Sequence, residues 1–136
     1  MGVRIYRPMT AGRRNSSVQD FSDITKNKPD KSLVEYRQPK SGRNNQGILT
    51  VRHQGGGVKR LYRKVDFVGT VLDTPAKVLA IEYDPNRGPR VALVQYTNNI
   101  KSYMLAPEGL KVGATVATSK NKLEAEVGMR MPLKFI

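Results

Sequence analysis

From Gln38 to Val65 the chain carries seven Lys or Arg residues, three consecutive glycines and no acidic side chain. A stretch of that kind cannot fold upon itself, because its cations repel one another and its apolar surface is too small to offset the entropy of ordering. It needs an anionic partner. The rest of the chain divides along the same line. Residues 1–64 hold 15 Lys or Arg against 4 acidic residues, and residues 65–136 hold 9 against 7, so that net charges of +11 and +2 make up the total of +13. Apolar residues run the other way, 18 in the first 64 positions and 34 in the last 72. This asymmetry predicts an extended basic arm over residues 1–57 and a small domain over residues 58–136.

A charge of this size points first to nucleic acid and second to a membrane surface. Membrane insertion is disfavoured, since no apolar run has the length of a spanning helix and the cations do not line one face of an apolar helix. The opening "MGVRIYRPMT" lacks the apolar segment of a secretory signal, and Tyr6 stands where a myristoylation site takes Ser or Thr. With no Cys, neither a disulfide framework nor a thiolate metal site can form.

Through the arm, turn formers recur at Pro8, Gly12, Asn15, Pro29, Pro39, Gly42 and Gly47 and interrupt every periodicity. Only "DFSDIT" suggests a helical turn, capped by Asp20 or Ser22, and "GILTVRH" a short strand. Fully extended, some fifty residues would reach on the order of 100 Å. After the glycines the texture changes to five short β-rich runs, "LYRKVDFVG", "AKVLAIEY", "RVALVQY", "IKSYMLA" and "ATVATS", separated by turn signals. The predicted class is all-β: a small five-stranded oligonucleotide-binding (OB) type barrel behind a long extended arm, with an SH3-like barrel as the competing closure.

The candidate binding residues cluster around the glycines. Gly55, Gly56 and Gly57 either let main-chain N–H groups approach phosphate, with Lys59 and Arg60 supplying charge, or serve as a plain hinge. Arg43, Asn44, Asn45, Arg52, His53, Arg63 and Lys64 combine guanidinium forks with amides, and Tyr62 offers a ring for stacking. The bland alternative is a solvated face, but the missing acids favour RNA or DNA contact. In "EYDPNRGPR", Asp84 and Pro85 build a tight turn from which Asn86 and Arg87 are expected to project. His53 has no partner for a metal site, and the scattered carboxylates form no acid–base pair. No catalytic residue, metal ligand or cofactor is therefore expected.

At these residues the chain resembles the family of the second large-subunit ribosomal protein, in the bacterial and organellar form of its N-terminal RNA-binding half. The likeness rests on "DFSDITKNKPDKSL", "GRNNQGILTVRHQGGGVKRLYRKVDF", "PAKVLAIEYDPNRGPRVALVQY", "YMLAPEGLKVG" and "MPLKFI". It implies a non-enzymatic structural component that binds large-subunit ribosomal RNA near the peptidyl-transferase region and subunit interface, in a bacterial cytoplasm, mitochondrion or plastid. Its implied partners are that RNA, neighbouring ribosomal proteins and a separate chain or segment carrying an SH3-like C-terminal half. Carried over by position, the implied RNA contacts are Arg13, Arg14, Arg43, Asn44, Asn45, Arg52, His53, Gly55 to Gly57, Lys59, Arg60, Tyr62, Arg63, Lys64 and Arg87. Departures from the family pattern are Val58 in place of a usual His, Ser102 in place of a usual Arg, and "DFVGTVLD" without the usual cations after "DF". The alternative from another class is a free-standing single-strand-binding or RNA-chaperone module, whose stacking platform would be Tyr83, Tyr96 and Tyr103.

Overall fold

A computed structural model describes residues 2–135. Its regular elements are strands β1 (Val3–Ile5), β2 (Ser17–Gln19), β3 (Val34–Tyr36), β4 (Leu61–Arg63), β5 (Ala76–Glu82), β6 (Val91–Tyr96), β7 (Lys101–Leu105), β8 (Thr115–Thr118) and β9 (Met129–Arg130). Two 3₁₀ turns, Lys31–Leu33 and Leu133–Phe135, complete the list, and the described residues contain no α-helix. The all-β expectation holds. A curled five-stranded sheet in the order β7-β6-β5-β8-β9 forms the body, and its pairings are antiparallel except for β8 with β9.

Four of the five apolar runs became β5 to β8. The fifth, "LYRKVDFVG", supplies β4, which pairs with β3 from the basic half instead of joining the large sheet. A single parallel bridge from Val65 to Tyr103 then ties this segment to the β7 edge. The fifth strand of the sheet is β9, two residues long and without any sequence signal of its own.

The sheet is apolar on both faces because β6 is. Ala92, Val94 and Tyr96 of β6 meet Ala76, Val78, Leu110 and Val116 on one side, while Val91 and Leu93 meet Ala80 and Tyr103 on the other. Strict alternation along β5 would put Ala76, Val78 and Ala80 on one face. The register slips between Val78 and Ala80, where Val78 pairs with Val94 but Ala80 pairs with Leu93. This bulge at Leu79 rotates the end of β5, so that Ala80 and Glu82 turn to the second face.

That second face is covered by segments outside the sheet, one of them from the basic half. Leu33 and Val65 pack on it, and the chain between Asp23 and Tyr36 runs across it as a strap. Thr25 exchanges bonds with Ile81, its N–H donating to the Ile81 carbonyl at 3.0 Å and its hydroxyl accepting from the Ile81 N–H at 2.9 Å. Arg90, buried, forks onto both carboxylate oxygens of Asp23 at 2.9 and 3.1 Å. This holds the Asp23 carboxyl below its usual range, the guanidinium hydrogen bond being the leading cause. Deeper in, the Tyr103 hydroxyl donates to Glu82 at 2.8 Å and accepts from the Asp30 N–H at 2.9 Å, while Lys26 lies 3.6 Å from the other Glu82 oxygen. Burial, aided by the Glu82 carboxylate, raises the Tyr103 phenol above its ordinary value. The "DFSDIT" segment closes a single turn, Ile24 N–H to Phe21 carbonyl, and goes no further because the strap must extend to reach Ile81.

Beyond β4, Asp66 organises the loop that leads back to β5. Its carboxylate accepts from the N–H groups of Val68, Gly69 and Thr70 and from the Thr70 hydroxyl, at 2.8 to 3.1 Å. Burial alone would raise this carboxyl, but the four donors outweigh it and leave the group below its ordinary value. Gly69 is required at the tip. Its φ is +77°, and a Cβ there would sit 2.6 Å from Thr118 Cγ2.

Two outcomes follow from these contacts. Tyr103→Phe strands the Glu82 oxygen and the Asp30 N–H together, and urea denaturation should register a loss of about 1.5–3 kcal/mol; a loss below about 0.5 kcal/mol would show that the strap does not depend on this hydroxyl. The lowered Asp66 carboxyl contributes stability above its ordinary value of 3.8, and that contribution disappears as pH falls below it. The stability gap between wild type and Asp66→Asn should therefore be widest near pH 6, begin to narrow near pH 3.8 and go on narrowing as the pH falls through the lower folded-state value, as read by denaturation at successive pH values.

Candidate nucleic-acid interface

The first group of residues lies on a small hairpin after Pro39. Arg43 bridges to Leu49, and the Asn44 side-chain oxygen accepts from the N–H groups of Gln46 at 3.0 Å and Ile48 at 2.9 Å. Asn44 therefore spends its acceptor on the turn, leaving its NH2 group as the part free for a ligand. The "GILTVRH" strand expected here is reduced to this bridge and to the bonds that Thr50 and Val51 donate to the Gly42 carbonyl. Gly42, marked in the sequence only as one turn former among several, is the indispensable glycine. At φ +70° a Cβ would come within 2.1 Å of the Val51 carbonyl oxygen.

Gly55, Gly56 and Gly57 have the opposite surroundings. Gly56 and Gly57 take φ values of +72° and +100°, yet a Cβ on any of the three would meet nothing within 4 Å. Their backbone is open to a ligand and is not held by packing. His53 also adopts positive φ, at 61°, and is exposed with Arg52, Asn45, Lys59 and Arg60. A shallow basin of about 590 Å³ lies among these loops, lined by Lys40, Arg43, Val51, His53, Gln54 and Gly55.

Some cations already rest on rings. Arg13, in a turn closed by its N–H onto the Thr10 carbonyl, lies 5.2 Å from the centre of Tyr6, and the exposed Arg14 follows it. Lys59 lies 5.0 Å over Tyr36, and Lys64 pairs with Glu35 across the β3–β4 ribbon at 3.7 Å.

Arg63 and Arg87 depart from expectation. Arg63 is only 5% exposed, because the alternation of β4 turns it inward onto Asp84 at 3.8 Å. The fold thereby withholds it from the surface. Arg87 does not project from its turn either. It folds back onto Asp84, whose carboxylate has no exposed surface, and keeps 14% of its side chain accessible. The turn itself matches the sequence reading in that Asp84 accepts from the Asn86 N–H at 2.9 Å, but Asn86, expected to project, ties its amide back to the Leu61 carbonyl at 3.0 Å. Folded back in this way, Arg87 stacks over Tyr62 at 4.9 Å and over Phe67 at 5.7 Å, while Arg37 covers Tyr62 at 4.2 Å. Tyr62 is thus a stacking residue whose ring is already engaged by two guanidinium groups. Neither Arg37 nor Phe67 was picked out from sequence, since nothing local announces that the distant Asp84 turn will meet them.

A platform on the sheet face is not supported. Tyr96 and Tyr103 are buried, and Tyr83 packs edge-on against Phe21 with centroids 5.3 Å apart. Among the described residues no group of three or more His, Cys, Asp or Glu side chains is placed to hold a metal ion.

Residues 30–118 match the family model described as Ribosomal Proteins L2, RNA binding N-terminal domain. The match spans both ribbon strands, the hairpin, the glycines, the Asp84 turn and most of the sheet. Since it covers about two thirds of the chain, the protein belongs to that family and is a structural, ribosomal-RNA-binding component of the large subunit, acting in translation.

Proposed function

We propose that the protein organises large-subunit ribosomal RNA near the peptidyl-transferase region and the subunit interface of a bacterial or organellar ribosome. Residues 1–57 act as the basic arm in this reading, and residues 58–136 act as an OB-type barrel seated on the same RNA beside neighbouring ribosomal proteins. The observation that carries the proposal is the state of the acid-free stretch. Between Gln38 and Val65 every cation except Arg63 is exposed, and among the described residues Glu35 is the one carboxylate paired with any of these exposed cations. Barrel closure is supported by the Val65–Tyr103 bridge and by the Asp66 N–H, which donates to the Tyr103 carbonyl at 2.8 Å and carries the chain past β7.

Within this reading Arg13, Arg14, Arg43, Arg52, Lys59, Arg60 and Lys64 neutralise phosphates, and Gly55 to Gly57 let main-chain N–H groups reach the same backbone. Asn45, His53 and the free NH2 of Asn44 bind ribose hydroxyls or base edges. Tyr62 and Arg87 contribute as a stacked pair, and Arg63 acts indirectly by holding Asp84.

Binding to a large-subunit RNA transcript should weaken on the order of a thousandfold or more between low and moderate salt if six or more phosphates are engaged. The triple variant Arg43→Ala, Arg52→Ala, Arg60→Ala should reduce the log–log salt slope by about two to three units with an unchanged melting temperature. A shallow wild-type response, or a slope indifferent to the three changes, would overturn the proposal.

A further inference from the structure

The side chains around the Asp84 turn form one alternating column: Arg37, Tyr62, Arg87, Phe67. Guanidinium carbons lie 4.2 Å and 4.9 Å from the Tyr62 centroid, and the second of these cations lies 5.7 Å from the Phe67 centroid. The column is anchored in its middle, because Arg87 is bonded to a carboxylate with no exposed surface that is itself held by Arg63. It is anchored near its end as well. Asp66 gathers the N–H groups of Val68, Gly69 and Thr70, and Arg130 donates to the Phe67 carbonyl at 3.4 Å.

The end of the column is open. Phe67 keeps 59% of its surface exposed, and its neighbour Val68 keeps 83%. A mobile loop can expose such residues at little cost, but here a network of bonds holds them in place, and a fixed exposed apolar tip marks a contact site. Cations set the nature of the partner, with Arg87 beside the ring and Arg130 bonded to its carbonyl. A flat, π-rich ligand that carries its own negative charge fits both features.

We infer that Phe67 is a stacking site for one unpaired nucleobase of ribosomal RNA, which extends the Arg37–Tyr62–Arg87–Phe67 column by one layer. This rests on the RNA-binding reading above. The Phe67 side chain has no hydrogen-bonding group, so the site discriminates unpaired from paired nucleotides and not one base from another. Val68 forms the apolar wall beside it.

The chain has no Trp, so Phe67→Trp introduces one tryptophan at the site, which selective excitation separates from the six Tyr residues. On saturation with a large-subunit RNA transcript, its emission should be quenched and irradiation should crosslink position 67 to a nucleotide. Phe67→Ala and Phe67→Leu should each weaken binding about tenfold at every salt concentration with the salt slope unchanged, whereas Phe67→Trp should retain affinity. Equal binding by Phe67→Leu and wild type would reduce the ring to apolar filling and overturn the inference. So would unchanged emission from the Phe67→Trp variant while transcript is bound, or emission that shifts only on adding RNA-free large-subunit proteins, which would make the tip a protein contact. In each of these cases the RNA-binding reading stands. A wild-type chain that fails to bind the transcript overturns both.

Discussion

A carboxylate with no access to water is the constraint around which the rest is arranged. Removing Asp84 from solvent costs several kcal/mol unless opposite charge and hydrogen bonds replace the water. The chain supplies Arg63 from β4, Arg87 from the turn itself and the N–H of Asn86. These demands fix more than local geometry. Arg63 can answer only if β4 lies beside the turn, and Asn86 reinforces this by donating to Leu61. Once Arg87 is drawn inward, its flat face has to rest on the rings that remain, which are Tyr62 and Phe67. An electrostatic requirement inside the domain thus sets the arrangement of aromatic groups on its surface.

The basic half obeys a related rule. Its four acidic residues are Asp20, Asp23, Asp30 and Glu35, and the last three contact cations of the folded body or ribbon: Arg90, Lys101 and Lys64. Where these carboxylates occur, the chain lies against its own protein. Where they are missing, from Gln38 to Val65, the cations other than Arg63 face outward. Compositional averaging over the first 64 residues merges the two regimes, because it registers the net charge and not its order along the chain.

This explains what was legible in advance. The β-rich runs and the turn signals between them announced β5 to β8, and the Asp84–Pro85 turn was readable from residue chemistry. The motifs around the glycines and the turn were specific enough to reveal the family. The strap was not legible. Its docking depends on Leu33 and Tyr103, which lie 70 positions apart and show no local periodicity. The inward direction of Arg63 was hidden by a similar effect, for a cation in a basic run looks exposed until a distant buried acid is known. Gly42 and the glycine triplet look alike in sequence, yet only the former faces a carbonyl oxygen that would collide with a side chain.

The pairing of β3 with β4 has a mechanical consequence for the segment between them. Tyr36 stands opposite Leu61, so the excursion from residue 37 to residue 60 leaves and returns at the same place. It is a noose and not a streamer. Doubling back, its 24 residues can stretch no farther than about 40 Å from the sheet, less than half the span open to a free end of the whole basic half. Because both feet are pinned before any ligand arrives, part of the configurational search is already complete, and tightening around an RNA strand forfeits less freedom than recruiting a dangling tail.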